Sequence, residues 1–373
     1  GNTSSVQQPI HQFTQGNYTV TLTAVSGNGC SSSTTQNITI YPKPDALFVS
    51  NTVCFGEQTQ FQDFSGVVNG SITGWNWDFG DGHSGTGPSP IHQYSVAGSY
   101  VATLIVTSNQ GCSDTIIAPV DINPRPAADF TATEVCRGII TDFSDLSTIF
   151  PGSIDGWEWM FGDGGNSSVQ NPSHTYLTDG IFNVTLVVTS DLGCNDTISK
   201  PVRVNPLPDA SITTQPVCLN FPSPFAGNAT IASGSIQNWY WEFGDNTFAG
   251  IQNPTHLYSA AGSYNVMLVA VSDKGCMDSV FQSVTVYSLP SAGFTFTNAC
   301  LNGQSVFTDT SSVAGSIITA WSWNFGDGNT SSQQHPSHVF ASSGSYPVTL
   351  TVTSAQGCSQ SVTQTVNSFP VPS

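Results

Sequence analysis

The strongest constraint on this chain is an internal repeat of constant period. The eight tryptophans form four pairs, and each pair lies 82 positions after the one before it, as Trp157 does after Trp75. The nine cysteines keep the same period, with intervals of 24 and 58 in alternation. A fixed period of this kind is the signature of tandem units that each adopt one fold. The cysteines are Cys30, Cys54, Cys112, Cys136, Cys194, Cys218, Cys276, Cys300 and Cys358.

Proline-rich segments mark the boundaries of the units, at residues 41–46, 123–128, 205–210 and 287–292. Proline favours short, extended, semi-rigid links. The predicted organisation is the C-terminal half of one repeat followed by four complete repeats, and the chain is interpreted as a segment of a longer protein. The predicted ranges are 1–43, 44–125, 126–207, 208–289 and 290–373.

Each unit reads as a succession of short β-strands. In the unit 44–125, segments such as SYVATLIVTS and DTIIAPVDI alternate apolar and polar residues and are separated by Gly, Asn, Asp or Ser. This pattern is typical of half-buried antiparallel strands, and no helical period competes with it. The predicted fold class is all-β, a tandem array of immunoglobulin-like β-sandwich domains forming an elongated rod.

A Trp-x-Trp-x-Phe segment in each complete unit supplies the predicted core. Alternate residues of a strand share one face, so these aromatic side chains point inward together. The alternative, a sugar-binding platform, fits less well, although the out-of-phase Tyr240 is predicted to face outward as a contact residue. The predicted core residues are Trp75, Trp77, Phe79, Trp157, Trp159, Phe161, Trp239, Trp241, Phe243, Trp321, Trp323 and Phe325.

A Gly-Asp-Gly turn follows this strand, with Asn246 replacing the second glycine in one unit. Glycine supplies positive φ, and the aspartate folds back onto backbone N–H groups, so the turn is predicted to be structural. No second carboxylate recurs at a fixed offset in every unit, which leaves calcium as a weak possibility and otherwise predicts no cofactor. The weak calcium candidates are Asp81, Asp163, Asp245 and Asp327.

A histidine precedes an aromatic residue in each complete unit, at His92, His174, His256 and His338. Catalysis would require a nucleophile, a base and an orienting acid apart from the repeat pattern, and no such constellation is apparent. These histidines are predicted to be structural. The segment is predicted not to be an enzyme and to contain no catalytic residues.

The charge balance restricts the possible partners. The chain has 6 Lys and Arg against 24 Asp and Glu, a formal net charge of -18. Nucleic acid binding requires clustered basic residues, which are missing. No apolar stretch is long enough to span a bilayer, so no membrane insertion is predicted for this segment.

The combined motif, W-x-W-x-FGDG followed by P-x-H-x-Y and G-x-Y-x-V-x-L-x-V, resembles PKD domains, the immunoglobulin-like modules named after polycystin. The resemblance covers the four complete units and the partial one. The cysteine-bearing form is similar to tandem PKD repeats in large secreted surface proteins and gliding-type adhesins of the Bacteroidota. The resemblance implies extracellular spacers or protein- and glycan-contacting units that are not themselves enzymes.

The regular cysteines without CxxC pairs indicate disulfides in an oxidising compartment. Strand directions place the early and late cysteines of one repeat at opposite ends, about one strand length apart, whereas a disulfide requires Cα atoms within about 7 Å. Bridges between repeats are therefore favoured, namely Cys54–Cys194, Cys136–Cys276 and Cys218–Cys358. The alternative within repeats, if the first strand is short or irregular, is Cys54–Cys112, Cys136–Cys194, Cys218–Cys276 and Cys300–Cys358.

Asp-Ser/Thr-aliphatic segments near the last strand resemble bacterial O-glycosylation sites, with Thr115, Thr197 and Ser279 as acceptors, although β-propensity explains them equally well. The predicted function is a structural and adhesive segment of an extracellular bacterial surface protein, a stiff stalk that spaces and presents binding regions. Its predicted partners are neighbouring repeats, other copies in a filament, and surface glycans or proteins. The alternative is a set of polysaccharide- or protein-binding accessory repeats of a secreted hydrolase.

Overall fold

The structure of the chain is a computed structural model that describes residues 1–371, so Pro372 and Ser373 of the predicted repeat 290–373 lie outside the described residues. All regular secondary structure in residues 1–371 is β-strand, which confirms the predicted all-β class. No helix in this part of the chain could cross a membrane. The chain divides into two compact units, residues 1–133, 141–174 and 182–202, and residues 134–140, 175–181 and 203–373.

The strands recur at equivalent positions in each repeat. Residues 1–43 contain β1 (Gly16–Val25) and β2 (Ser31–Ile40). Residues 44–125 contain β3 (Phe48–Ser50), β4 (Val53–Cys54), β5 (Thr59–Asp63), β6 (Ile72–Asp78), β7 (Ser84–Thr86), β8 (Ile91–His92), β9 (Gly98–Ser108) and β10 (Ser113–Asn123). Residues 126–207 contain β11 (Phe130–Ala132), β12 (Val135–Cys136), β13 (Ile140–Asp145), β14 (Ile154–Met160), β15 (Asn166–Ser167), β16 (Ser173–Thr175), β17 (Gly180–Ser190) and β18 (Asn195–Asn205).

The last two repeats have the same eight strand positions. Residues 208–289 contain β19 (Asp209–Thr214), β20 (Val217–Cys218), β21 (Ser223–Thr230), β22 (Ile236–Glu242), β23 (Phe248–Ala249), β24 (Thr255–His256), β25 (Gly262–Ser272) and β26 (Met277–Tyr287). Residues 290–371 contain β27 (Phe294–Phe296), β28 (Ala299–Cys300), β29 (Gln304–Asp309), β30 (Ile318–Asn324), β31 (Thr330–Ser331), β32 (Ser337–Val339), β33 (Gly344–Ser354) and β34 (Ser359–Phe369).

Each repeat forms two sheets. In the repeat 44–125 a three-stranded sheet has the order β3-β5-β8, and a five-stranded sheet has the order β4-β10-β9-β6-β7. The repeats that begin near residues 208 and 290 have the same two orders at equivalent strands. In the repeat 126–207, the pairs β11–β13, β14–β15, β14–β17 and β12–β18 match their counterparts.

Aromatic side chains fill the space between the two sheets. Trp77 is 1% exposed, and its ring centroid lies 5.1 Å from that of Phe48 and 5.4 Å from that of Phe61, both on the opposite sheet. Its indole N–H donates to the carbonyl of Gly87 at 2.8 Å, so the buried polar atom is satisfied. Trp75 lies at the edge of the core, partly buried, and donates to Asp63 at 2.6 Å.

The other repeats bury the same positions. The second tryptophan and the phenylalanine of each motif are buried, and the first tryptophan is partly buried. The buried members are Trp77, Phe79, Trp159, Phe161, Trp241, Phe243, Trp323 and Phe325, and the partly buried ones are Trp75, Trp157, Trp239 and Trp321.

A two-residue strand fixes the position of each early cysteine. Cys54 belongs to β4, which pairs in parallel with the end of β10 so that Cys54 lies opposite Asn123. Cys112 immediately precedes β10, an eleven-residue strand that spans about 35 Å at about 3.3 Å per residue. Cys54 and Cys112 are therefore too far apart to form a disulfide.

Candidate functional site

Three disulfides join consecutive repeats. Cys54 is bonded to Cys194, with Cα atoms 5.7 Å apart and a sequence separation of 140. Equivalent bonds have Cα separations of 5.6 and 5.7 Å and the same sequence separation. These are the pairs that the strand directions favoured, Cys54–Cys194, Cys136–Cys276 and Cys218–Cys358. Cys30, Cys112 and Cys300 are free thiols.

Polar contacts accompany the first of these bonds. The side-chain amide of Asn123, opposite Cys54, donates to the carbonyl of Leu192 at 3.3 Å. The guanidinium of Arg125 donates to the carbonyl of Asn195 at 2.9 Å. The proline-rich linker is thus hydrogen-bonded to the turn and strand that flank Cys194, so this junction is held by more than its disulfide.

The aspartate of each Asp-Ser/Thr-aliphatic segment holds the start of its own repeat. Asp114 accepts a hydrogen bond from the backbone N–H of Ala46 at 2.9 Å. It also pairs with the ammonium of Lys43, whose hydrogen bond holds the pKa of the Asp114 carboxyl at about 2. Asp196 and Asp278 bind the corresponding N–H groups at 2.8 and 2.9 Å. The neighbouring Thr115, Thr197 and Ser279 are exposed, and their glycosylation stays a prediction.

A hydrogen bond joins the aspartate of the Gly-Asp-Gly turn to the recurring histidine. In each complete repeat the histidine Nε2 lies 2.7 Å from the Oδ2 atom of the turn aspartate. The other carboxylate oxygen accepts a backbone N–H two residues later, at 2.9–3.2 Å, as the turn chemistry predicts. The four pairs are Asp81–His92, Asp163–His174, Asp245–His256 and Asp327–His338.

Aromatic contacts fix the histidine ring. His92 stacks on Phe79 with ring centroids 4.3 Å apart and meets the edge of Tyr94 at 4.6 Å. The stacking recurs at 4.2–4.3 Å in the other repeats. The pair therefore ties the turn after the Trp-x-Trp-x-Phe strand to the strand that carries the histidine. Asn246, which replaces a turn glycine, has a positive φ of 66°.

Calcium binding at the four turn aspartates stays a weak prediction. Calcium takes six to eight oxygen ligands. Here one carboxylate is shared between a backbone N–H and an imidazole nitrogen, as at Asp163. The same arrangement surrounds the other weak candidates, Asp81, Asp245 and Asp327.

Sequence reasoning missed the Asp–His pairing, although a signal was present. The aspartate and the histidine recur eleven residues apart in all four complete repeats. Each residue was interpreted alone, as a turn residue and as a strand-edge residue. Two polar residues that recur together at a constant spacing in every copy are good candidates for direct contact.

Comparison with known proteins decides the family. A family model described as PKD domain matches residues 41–122, 123–206, 203–287 and 288–369. The chain belongs to the PKD domain family. PKD repeats are non-catalytic domains. The predicted PKD family is confirmed, and the predicted similarity to Bacteroidota surface proteins stays a prediction.

Two curated relatives and one solved structure are similar to parts of this chain. The pre-pro-metalloprotease PrtV of Vibrio cholerae is 30% identical over 150 residues, 40% of this chain and 16% of the relative. Human polycystin-1 is 25% identical over 284 residues, 71% of this chain and 6% of the relative. The crystal structure of the PKD1 domain from PrtV is 33% identical with a TM-score of 0.21, covering 22% of this chain and 99% of that domain. The chain thus spans a small part of either curated relative.

We expect the PKD repeats to lose stability at acid pH because of the Asp–His pairs. Burial alone would raise the pKa of Asp327, but hydrogen bonds from His338 and the backbone N–H of Asn329 outweigh it and hold this pKa below its ordinary value of 3.8. The pKa values of Asp163 and Asp245 are also lowered. A lowered folded-state pKa stabilises the fold above the unfolded-state value and loses this effect as pH falls through the folded-state value.

Acid titration followed by near-ultraviolet circular dichroism should therefore show a transition below about pH 4. The variant with Asp163→Asn, Asp245→Asn and Asp327→Asn should be less stable at neutral pH, and its stability should depend less on pH below about 4. A Glu158→Gln variant, at an exposed strand position, serves as the control. An unchanged acid transition in the triple variant would show that these pairs do not set the acid limit.

Proposed function

We propose that this segment is a tension-resistant stalk of a larger extracellular protein, which spaces and presents binding regions located elsewhere in that protein. The observation that carries the proposal is the connectivity of the three disulfides. Each joins one repeat to the next, and their sequence ranges overlap, 54–194, 136–276 and 218–358. Disulfides of this kind persist in oxidising, extracellular compartments.

The overlapping bonds create a short covalent route through the array. From Cys54 the disulfide leads to Cys194, a short stretch of chain leads to Cys218, and the next disulfide leads to Cys358. A second route runs from Cys112 along the chain to Cys136, across the bond to Cys276, and along the chain to Cys300. Each route bypasses the parts of the repeats that contain the tryptophan cores.

The chain segments on these routes are already extended. All but five of residues 195–218 belong to strands β18, β19 and β20. A fully extended chain spans at most about 3.3–3.6 Å per residue, so this link of about 24 residues cannot exceed roughly 80–90 Å. Without the disulfides, the roughly 300 residues between Cys54 and Cys358 could extend to roughly 1,000–1,100 Å. Pulling on the oxidised chain therefore cannot lengthen the part between Cys54 and Cys358 by unfolding its domains.

Single-molecule force spectroscopy on the chain tethered at both ends tests this function. Under oxidising conditions we expect no domain-sized steps between Cys54 and Cys358. After reduction we expect steps that correspond to single repeats, each with an extended length of roughly 270–300 Å before subtraction of the folded length.

Two serine variants are matched controls for the force experiment. Cys218→Ser removes the bond to Cys358. The shortest covalent route from Cys54 to Cys358 then contains about 140 residues of chain instead of about 24, and its extended length is roughly 460 Å to roughly 500 Å. Cys300→Ser, at the equivalent position of the last repeat, removes only a free thiol and should leave the oxidised trace unchanged. Domain-sized steps in the oxidised wild-type chain would contradict the proposal.

A second candidate function is an accessory binding region of a hydrolase, favoured by the similarity to the metalloprotease PrtV. The repeat 208–289 offers exposed aromatic side chains on one outer sheet face, Tyr240 at 56%, Phe248 at 72% and Phe281 at 58% exposure. Polysaccharide or protein pull-down that is lost on Tyr240→Ala would favour this candidate. A bacterial cell-surface location, a Bacteroidota origin and assembly into filaments are further parts of the stalk proposal.

A further inference from the structure

One PKD repeat carries a second histidine beside its Asp–His pair. In the repeat 44–125 the residue two positions after the turn aspartate is His83, whereas the equivalent residues are Gly165, Thr247 and Asn329. The Nδ1 atom of His83 lies 3.2 Å from the Oδ1 atom of Asp81, and the Nε2 atom of His92 lies 2.7 Å from Oδ2. One carboxylate thus lies between two imidazoles.

The three side chains converge on one small volume. One ligand atom from each of Asp81, His83 and His92 lies within 4.8 Å of the other two, and the imidazole centroids are 5.4 Å apart. Within residues 1–371 this is the one group of three such side chains that meets this spacing. Ligands bound to a tetrahedral ion at about 2.0–2.1 Å are about 3.4 Å apart, so small side-chain shifts would complete the geometry.

Two of the three ligands are already held in place. The side chains of Asp81 and His92 are 9% and 12% exposed, and His92 is fixed between Phe79 and Tyr94. His83 is 71% exposed, so the group opens to solvent on one side. An ion can therefore reach Asp81 and His92 from the solvent side, where His83 lies, and can keep a water molecule as its remaining ligand.

We propose that Asp81, His83 and His92 bind one zinc ion. Two imidazole nitrogens and one carboxylate oxygen are a donor set that zinc accepts with water in the fourth position. Hard cations such as calcium and magnesium prefer oxygen ligands alone. Zinc takes the position of the hydrogen between the Nε2 atom of His92 and the carboxylate of Asp81, and the displaced proton moves to the Nδ1 atom of His92, so the imidazole that binds the ion is neutral. The net charge of -18 favours the approach of cations.

Isothermal titration calorimetry of the oxidised full chain with zinc chloride tests the site, after the free thiols are blocked with iodoacetamide so that they do not bind the metal. We expect one equivalent of zinc and no saturable binding of calcium. His83→Asn, which reproduces the sequence around Asn329, should weaken binding at least about tenfold.

A variant that creates a second zinc site in another repeat provides an independent test. Thr247→His places a second imidazole beside the Asp245–His256 pair and should raise the stoichiometry to two. Zinc binding that is unchanged by His83→Asn, or no zinc binding by the wild-type chain at millimolar metal, would overturn the proposal. The test does not depend on the stalk function.

Discussion

Replacing Cys136 with serine should lower the free energy of unfolding of the repeats 126–207 and 208–289 by about 2–5 kcal/mol. Cys136 is bonded to Cys276 at a sequence separation of 140, so the bond restricts a long loop of the unfolded chain. Cys300 occupies the same repeat position but is a free, exposed thiol. Cys300→Ser should therefore leave the free energy of unfolding unchanged.

Hydrogen–deuterium exchange at increasing guanidinium chloride, read by mass spectrometry, gives the opening free energy of each repeat separately. Separate values for each repeat are needed because an array of domains does not unfold in one two-state step. Peptide mapping of the unreduced chain should first recover the three links between consecutive repeats. Links within one repeat, such as Cys136–Cys194, or equal effects of the two serine variants, would show that the inter-repeat bonds do not form in solution.

The strand directions and the repeat together predicted much of this architecture. Alternation in the Trp-x-Trp-x-Phe strand predicted that Trp77 and Phe79 face the core, and both are buried. Counting antiparallel strands placed Cys54 and Cys112 at opposite ends of a repeat, which favoured bonds to the neighbouring repeat. Both arguments depend only on the period of two in a strand and on the length of a strand.

Several contacts between distant segments of one repeat were not predicted. The strand β4 has two residues, yet it determines where Cys54 lies. Two residues are too few for any period to be detected. The hydrogen bond from Ala46 to Asp114 joins residues 68 apart, and the one from Trp75 to Asp63 crosses between the two sheets. Such contacts follow from the packing of the whole domain, so the local sequence does not specify them.

The core itself provides the second large expected effect. Trp241→Ala should lower the free energy of unfolding of the repeat 208–289 by about 3–5 kcal/mol, because it leaves a large cavity. Trp241 is 1% exposed, and its ring centroid lies 5.6 Å from that of Phe225 on the opposite sheet. Its indole N–H also donates to the carbonyl of Ile251 at 2.9 Å, and this acceptor would lose its partner.

The neighbouring residue is the matched control for this substitution. Tyr240 belongs to the same strand but points to the opposite face and is 56% exposed. Tyr240→Ala should therefore change the free energy of unfolding by no more than about 0.5 kcal/mol. If Trp241→Ala unfolds the repeat completely, Trp241→Phe keeps an aromatic ring and should cost less. Hydrogen exchange of peptides from residues 208–289 measures all three variants. Equal losses for Tyr240→Ala and Trp241→Ala would mean that the two faces of this strand are equally buried in solution, contrary to the sandwich arrangement.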